Sequence, residues 1–164
     1  MSQLKELLLR APRLSLAVAE SLTAGRLQAR VGAIPGASHF FQGGITTYSL
    51  EQKVRHLGVD RAAAAAVNSV SAAIAEQMAR GACALFQTNL ALATTGYAEL
   101  SVEWNVPQPF AWWALAHRRG PEDFFIQSTC IDCPNQERIA VQDAVADAAL
   151  AGLVKYLREH RPSV

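Results

Sequence analysis

The chain has 164 residues, 51% hydrophobic and 18% charged, an apolar share that supports one compact domain with a sizeable core and excludes a disordered or fibrous chain. Fifteen Lys and Arg stand against fourteen Asp and Glu, a formal net charge of +1, with no basic stripe or acidic block to attract nucleic acid or a bilayer. The longest apolar run, Phe110 to Ala116, is far below the ~18 residues of a spanning helix; the start lacks a secretory pattern, and three cysteines (Cys83, Cys130, Cys133) are too few for a disulfide framework, which together predict a cytoplasmic protein.

No internal repeat and no Ser/Gly/Pro-rich linker divides the chain, so residues 1–164 read as a single domain with a short frayed tail after about residue 160. Gln3 to Arg10 reads as a short amphipathic helix ended by Pro12, followed by a compact apolar strand, Leu14 to Val18. Thr23 to Gly32 carries helix formers and is broken by Pro35-Gly36, after which the β-branched and aromatic Gly43 to Tyr48 is strand-like. Lys53 to Leu57 is a helical piece stopped by Gly58, and Asn68 to Ser71 supplies the polar start of a long Ala-rich helix through Phe86. Asn89 to Thr94 is a buried strand. Phe110 to His117 and Asp123 to Cys130 form two more, with Gly120-Pro121 as the turn, and Gln136 to Arg158 is the closing helix. Five strands alternating with helices, the last two joined tightly, predict a layered α/β domain with a mixed sheet.

In such a fold ligands sit at the carboxyl ends of strands, near helix starts. Two segments qualify. In Ala19-Glu-Ser-Leu-Thr-Ala-Gly25, a serine lies among backbone N–H groups able to stabilise an oxyanion or hold a phosphate, although Ser21 or Thr23 also fits a plain N-cap. In Gly43-Gly-Ile-Thr-Thr-Tyr-Ser-Leu-Glu-Gln-Lys53, the lysine is one of only three in the chain. Desolvated, it can act as base for a serine; exposed, it is an ordinary solvated helix lysine. Cys130-Ile-Asp-Cys133 has redox or half-zinc spacing, but the scattered His39, His56, His117 and His160 complete no ligand set, so no metal is expected and two strand-end thiols are the simpler account. Alternation places Trp112 and Trp113 on opposite faces, one in the core and one against a helix layer or a subunit.

Together, Ala19 to Gly25, Pro35-Gly-Ala-Ser38, Phe41 to Lys53, Leu57-Gly-Val59, Asn68-Ser-Val-Ser71, Met78-Ala-Arg-Gly-Ala82, Leu90 to Gly96 and, faintly, Arg138 with Ala149-Leu150 resemble the C-terminal domain of CinA and its stand-alone form, PncC. The resemblance implies a three-layer α/β/α sandwich with a mixed, mainly parallel sheet of about five strands. It also implies an amide hydrolase, without metal or cofactor, that converts nicotinamide mononucleotide to nicotinic acid mononucleotide and ammonia. Carried over, Ser21 is the nucleophile, Lys53 its base and Tyr48 a hydroxyl partner; Thr23, Gly25, Gly43, Gly44, Thr95, Gly96 and Arg138 fall at substrate positions. The expected partners are a small nucleotide or amide and further copies of the chain, a homo-oligomer, with neither nucleic acid nor membrane. The chain departs from the family after Gly96, where a glycine-rich loop is replaced by Tyr97 to Pro109 without a glycine, and at Gln142, where the family has an arginine. Apolar bulk from Tyr97, Leu100, Val102, Trp104 and Val106, with the carboxylates of Glu99 and Glu103, is expected to narrow the site and repel phosphate. A member that binds a nucleotide-like ligand or a protein without turnover is the alternative.

Overall fold

The computed structural model describes residues 2–161. In chain order the elements are α1 (Ser2–Leu9), β1 (Leu16–Glu20), α2 (Arg26–Gly32), a single 3-10 turn (Ala37–His39), β2 (Phe41–Thr46), α3 (Leu50–Leu57), α4 (Arg61–Ala66), α5 (Ala72–Phe86), β3 (Leu90–Tyr97), β4 (Phe110–Arg118), β5 (Phe124–Asp132) and α6 (Arg138–His160). The strand order is β2-β1-β3-β4-β5, with β1 parallel to both its neighbours and the β3-β4 and β4-β5 pairs antiparallel, so β4 alone runs against the rest. The expected tail beyond residue 161 lies outside the described residues.

The central strands alternate large and small residues with the period of two that a pleated strand imposes. Leu16 and Val18, Leu90 and Leu92, and Trp113 and Leu115 point to one face, where α1, α2 and α6 cover them. A buried leucine there contributes roughly 1.5–3 kcal/mol. The other face is alanine: Ala19, Ala91, Ala93, Ala114 and Ala116 meet α5, itself built on Ala75, Ala79 and Ala82. Small side chains on both sides bring α5 close to the sheet, with α3 and α4 packed outside it. The result is three layers. Trp113 fills the large-residue face and lies against Gly152 of α6, where a Cβ would meet the indole at 2.2 Å, while the half-buried Trp112 packs on the α5 side.

Helix limits follow local chemistry. Ser49 accepts from Gln52 N–H to open α3, and Gly58, at φ 64°, closes it. Ser71 does the same for α5 through Ile74 N–H. The helix expected from Thr23 begins only at Arg26, because Ala24 (φ 47°) and Gly25 (φ 98°) hold a left-handed turn. The strand expected over Gly43 to Tyr48 is Phe41–Thr46. Helix α4 was not anticipated; an all-alanine stretch has no hydrophobic period, and its signal is the N-cap Asp60, which accepts from Ala63 N–H at 2.6 Å.

Candidate active site

The carboxyl ends of β1, β2 and β3 meet at a cleft of about 490 Å³, within the range of small-molecule sites. Its floor is Ser21, on the turn leaving β1, and Lys53, on the inner face of α3; its walls are Asn68 to Val70 before α5, Thr95 and Gly96 at the end of β3, Tyr97 to Ser101, Tyr48 and Arg138.

Lys53 is 2% exposed. Its Nζ lies 3.0 Å from Ser21 Oγ and donates to the carbonyl oxygens of Thr47 at 3.1 Å and Tyr48 at 3.3 Å. A neutral amine has two hydrogens and one lone pair. With both hydrogens on the carbonyls, the lone pair faces the serine hydroxyl, as a base requires. Burial lowers the Lys53 pKa from 10.5 to about 8, since removing a cation from water disfavours its charged form. The arrangement can hold a proton on nitrogen or on oxygen with little movement.

The turn carrying Ser21 is fixed by Glu20, a fully buried residue that sequence reasoning passed over. Its carboxylate accepts from the N–H groups of Gly25, Leu27 and Gln28 at 3.1, 3.0 and 2.8 Å. The first N–H groups of α2, expected to face an oxyanion, are therefore occupied. Ser21 N–H is bound to Thr94 carbonyl oxygen at 3.0 Å. Leu22 borders the cleft, and among the described residues its N–H has no backbone acceptor, which leaves it as a candidate donor to negative charge developing next to Ser21.

The other expected site residues separate into two groups. Thr95, Gly96, Tyr48 and Arg138 border the cleft. Thr95 Oγ1 donates to Ser69 carbonyl oxygen at 2.7 Å and ties β3 to the Asn68-Ser69 turn, both residues of which have positive φ. The Tyr48 hydroxyl is not hydrogen-bonded to Ser21: the residue is 58% exposed and its hydroxyl accepts from Arg138 Nη1 at 3.4 Å, while its backbone carbonyl accepts from Lys53. Thr23, Gly25, Gly43 and Gly44 do not line the cleft. Thr23 is buried with its hydroxyl 2.7 Å from that of Thr94, and Gly25 belongs to the Glu20-bound turn. The Gly43-Gly44 pair serves packing, since a Cβ at Gly43 would meet Phe86 at 2.9 Å and one at Gly44 would meet Val18 at 2.5 Å.

The segment after Gly96 does reach the site. Tyr97 hydroxyl accepts from Asn68 Nδ2 at 2.9 Å, and Glu99 forms an ion pair with Arg138. Leu100 also borders the cleft. Val102, Trp104 and Glu103 do not: they sit exposed on a small hairpin closed by Ser101 and Val106. Gln142 is buried on α6 outside the lining. Cys130 is exposed on β5 and Cys133 buried just past its end; both thiols are free, and burial raises the pKa of each. No helix among the described residues is long and apolar enough to cross a membrane.

Residues 1–157 match the model of the CinA C-terminal domain. A CinA-like protein of Chlorobium limicola is 47% identical over 85 residues, 52% of this chain and 20% of that protein. One from Geobacter metallireducens is 46% identical over 91 residues, 56% of this chain and 22% of that protein, so the matches span about a fifth of the length of these relatives. Among solved structures, a CinA superfamily protein from Klebsiella pneumoniae superposes with a TM-score of 0.85 at 27% identity, covering 96% of this chain and 94% of that one. The competence/damage-inducible protein CihA from Agrobacterium tumefaciens gives 0.80 at 26% identity, covering 93% and 94%. With the family model matched over nearly the whole length and the sandwich shared with these structures, the chain belongs to the CinA C-terminal domain family.

Proposed function

We propose that the protein is an amide hydrolase in which Ser21 is the nucleophile and Lys53 its base. The observation that carries this is the buried Lys53 Nζ 3.0 Å from Ser21 Oγ and held by the backbone carbonyl oxygens of Thr47 and Tyr48. In the proposed cycle Lys53 Nζ takes the Ser21 proton as Oγ bonds to the carboxamide carbon, and the oxyanion lies near Leu22 N–H. Lys53 then returns the proton to the leaving nitrogen, the C–N bond breaks, and ammonia departs from an ester on Ser21. A water attacks that ester, giving its proton to Lys53; Ser21 recovers a proton as the carboxylic acid leaves.

The family resemblance supplies the first substrate to try, nicotinamide mononucleotide, with nicotinic acid mononucleotide and ammonia as products. Ammonia release by the purified chain is the test, with Ser21→Ala and Lys53→Ala each expected to lower turnover by at least ~10³-fold and the double variant little further, because nucleophile and base act as a unit. Losses that multiply would remove the dyad. A second reading, binding without turnover, is favoured by the Tyr97-Asn68 and Glu99-Arg138 contacts at the cleft mouth; it predicts ligand binding with no ammonia from any amide tried.

A further inference from the structure

Among the described residues bordering the cleft, Arg138 and the buried Lys53 are the only cationic side chains, and the guanidinium already has an anionic partner. Its Nη2 bonds the Glu99 carboxylate and its Nη1 donates to the Tyr48 hydroxyl. The adjoining cavity is bordered by Glu99, Glu137 and Arg138, two carboxylates to one guanidinium. The N–H groups of Gly25, Leu27 and Gln28, at the start of α2, are taken by Glu20. An entering phosphate would have to part Glu99 from Arg138 and then lie beside the freed carboxylate, a like-charge placement that binding disfavours. Leu50, Val70, Tyr97 and Leu100 complete the wall with apolar and aromatic surface.

We infer that Glu99 is a specificity-determining residue: by occupying Arg138 it makes the cleft select amides that carry no phosphate. This rests on the amide-hydrolase reading of Ser21 and Lys53 and narrows its substrate class. It places phosphorylated amides among the poor ligands, and it needs no change in the dyad.

Binding separates the two ideas. Calorimetry on the Ser21→Ala protein with nicotinamide riboside and with its phosphorylated form, the mononucleotide, is expected to give at least a ~10-fold tighter dissociation constant for the riboside. Adding Glu99→Gln, which leaves Arg138 without a charged partner, should tighten the mononucleotide about 10-fold and leave the riboside within about 3-fold. Glu103→Gln removes the same charge from an exposed position outside the cleft and should leave the ratio unchanged. Equal affinities, a tighter mononucleotide with Glu99 in place, no binding of either compound, or an equal effect of Glu103→Gln each overturn the proposal. Ammonia release is read independently on the chain with Ser21 intact: a binding preference without ammonia sinks the hydrolase reading and leaves the selectivity standing.

Discussion

An amine with 2% exposure destabilises the fold while it holds a proton, and the same cost makes it a base. With its pKa lowered to about 8 by burial, Lys53 is mostly charged at neutral pH, so kcat/KM should rise as pH passes through about 8 and level off above it. Lys53→Arg keeps the cation, cannot shed a proton, and should abolish both activity and the rise. In the unfolded chain the amine returns to its ordinary 10.5. Between those two values the unfolded state binds more protons than the folded one, so this residue's contribution to stability rises with pH across that window and is lost as pH falls to 8. Lys53→Met should therefore stabilise the fold by about 1–2 kcal/mol at neutral pH, with the gain vanishing above pH ~10.5. Urea midpoints at several pH values check this, and an unchanged or lowered midpoint at neutral pH contradicts it. The family resemblance, with the scarcity of lysine as a mild pointer, made this pair legible in the sequence. The carbonyls of Thr47 and Tyr48 that aim the amine were not, because backbone direction leaves no mark on residue type.

The turn between β1 and α2 depends on one buried carboxylate. Glu20→Ala removes the acceptor of three N–H groups at once and should lower stability by about 2–4 kcal/mol, while Glu20→Gln keeps one carbonyl oxygen and should lose about half as much. Equal unfolding midpoints for Glu20→Ala and the unaltered protein would show that water replaces the carboxylate. A glutamate ending an apolar strand reads as a solvated strand end, so its role was hidden; so was the left-handed Ala24, which a sequence reader assigns to a helix. The Gly58 stop and the polar start of α5 at Asn68 to Ser71 were visible because each has a local chemical signature, whereas α3, expected from Lys53, begins at Leu50 under the Ser49 cap. The segment from Tyr97 to Pro109 was half legible: the absence of glycine marked it as altered, but only contact geometry separates Glu99, paired with Arg138, from Glu103, which is exposed and does not line the cleft.

Across the molecule, the two faces of the sheet set different tolerances. Leu92→Ile exchanges shape at constant volume on the large-residue face and should cost under ~1.5 kcal/mol. Ala93→Val adds bulk between β3 and α5 and should cost about 1–3 kcal/mol, and because α5 is capped by Ser71, next to the Asn68 to Val70 wall of the cleft, it should also lower kcat/KM. Thermal melts and ammonia kinetics on the two variants separate these expectations; a neutral Ala93→Val would mean that α5 shifts freely. The alanine face acts as a gauge block. It sets the gap between sheet and helix, and through that gap the position of a wall lying well away from any alanine. A library randomised at Ala19, Ala91, Ala93, Ala114 and Ala116 should return folded members carrying only glycine, alanine or serine, whereas one randomised over residues 99–105 should return folded members of every chemistry. Change in this chain is thereby steered to the rim, where a new substrate can be acquired without disturbing the thickness of the molecule.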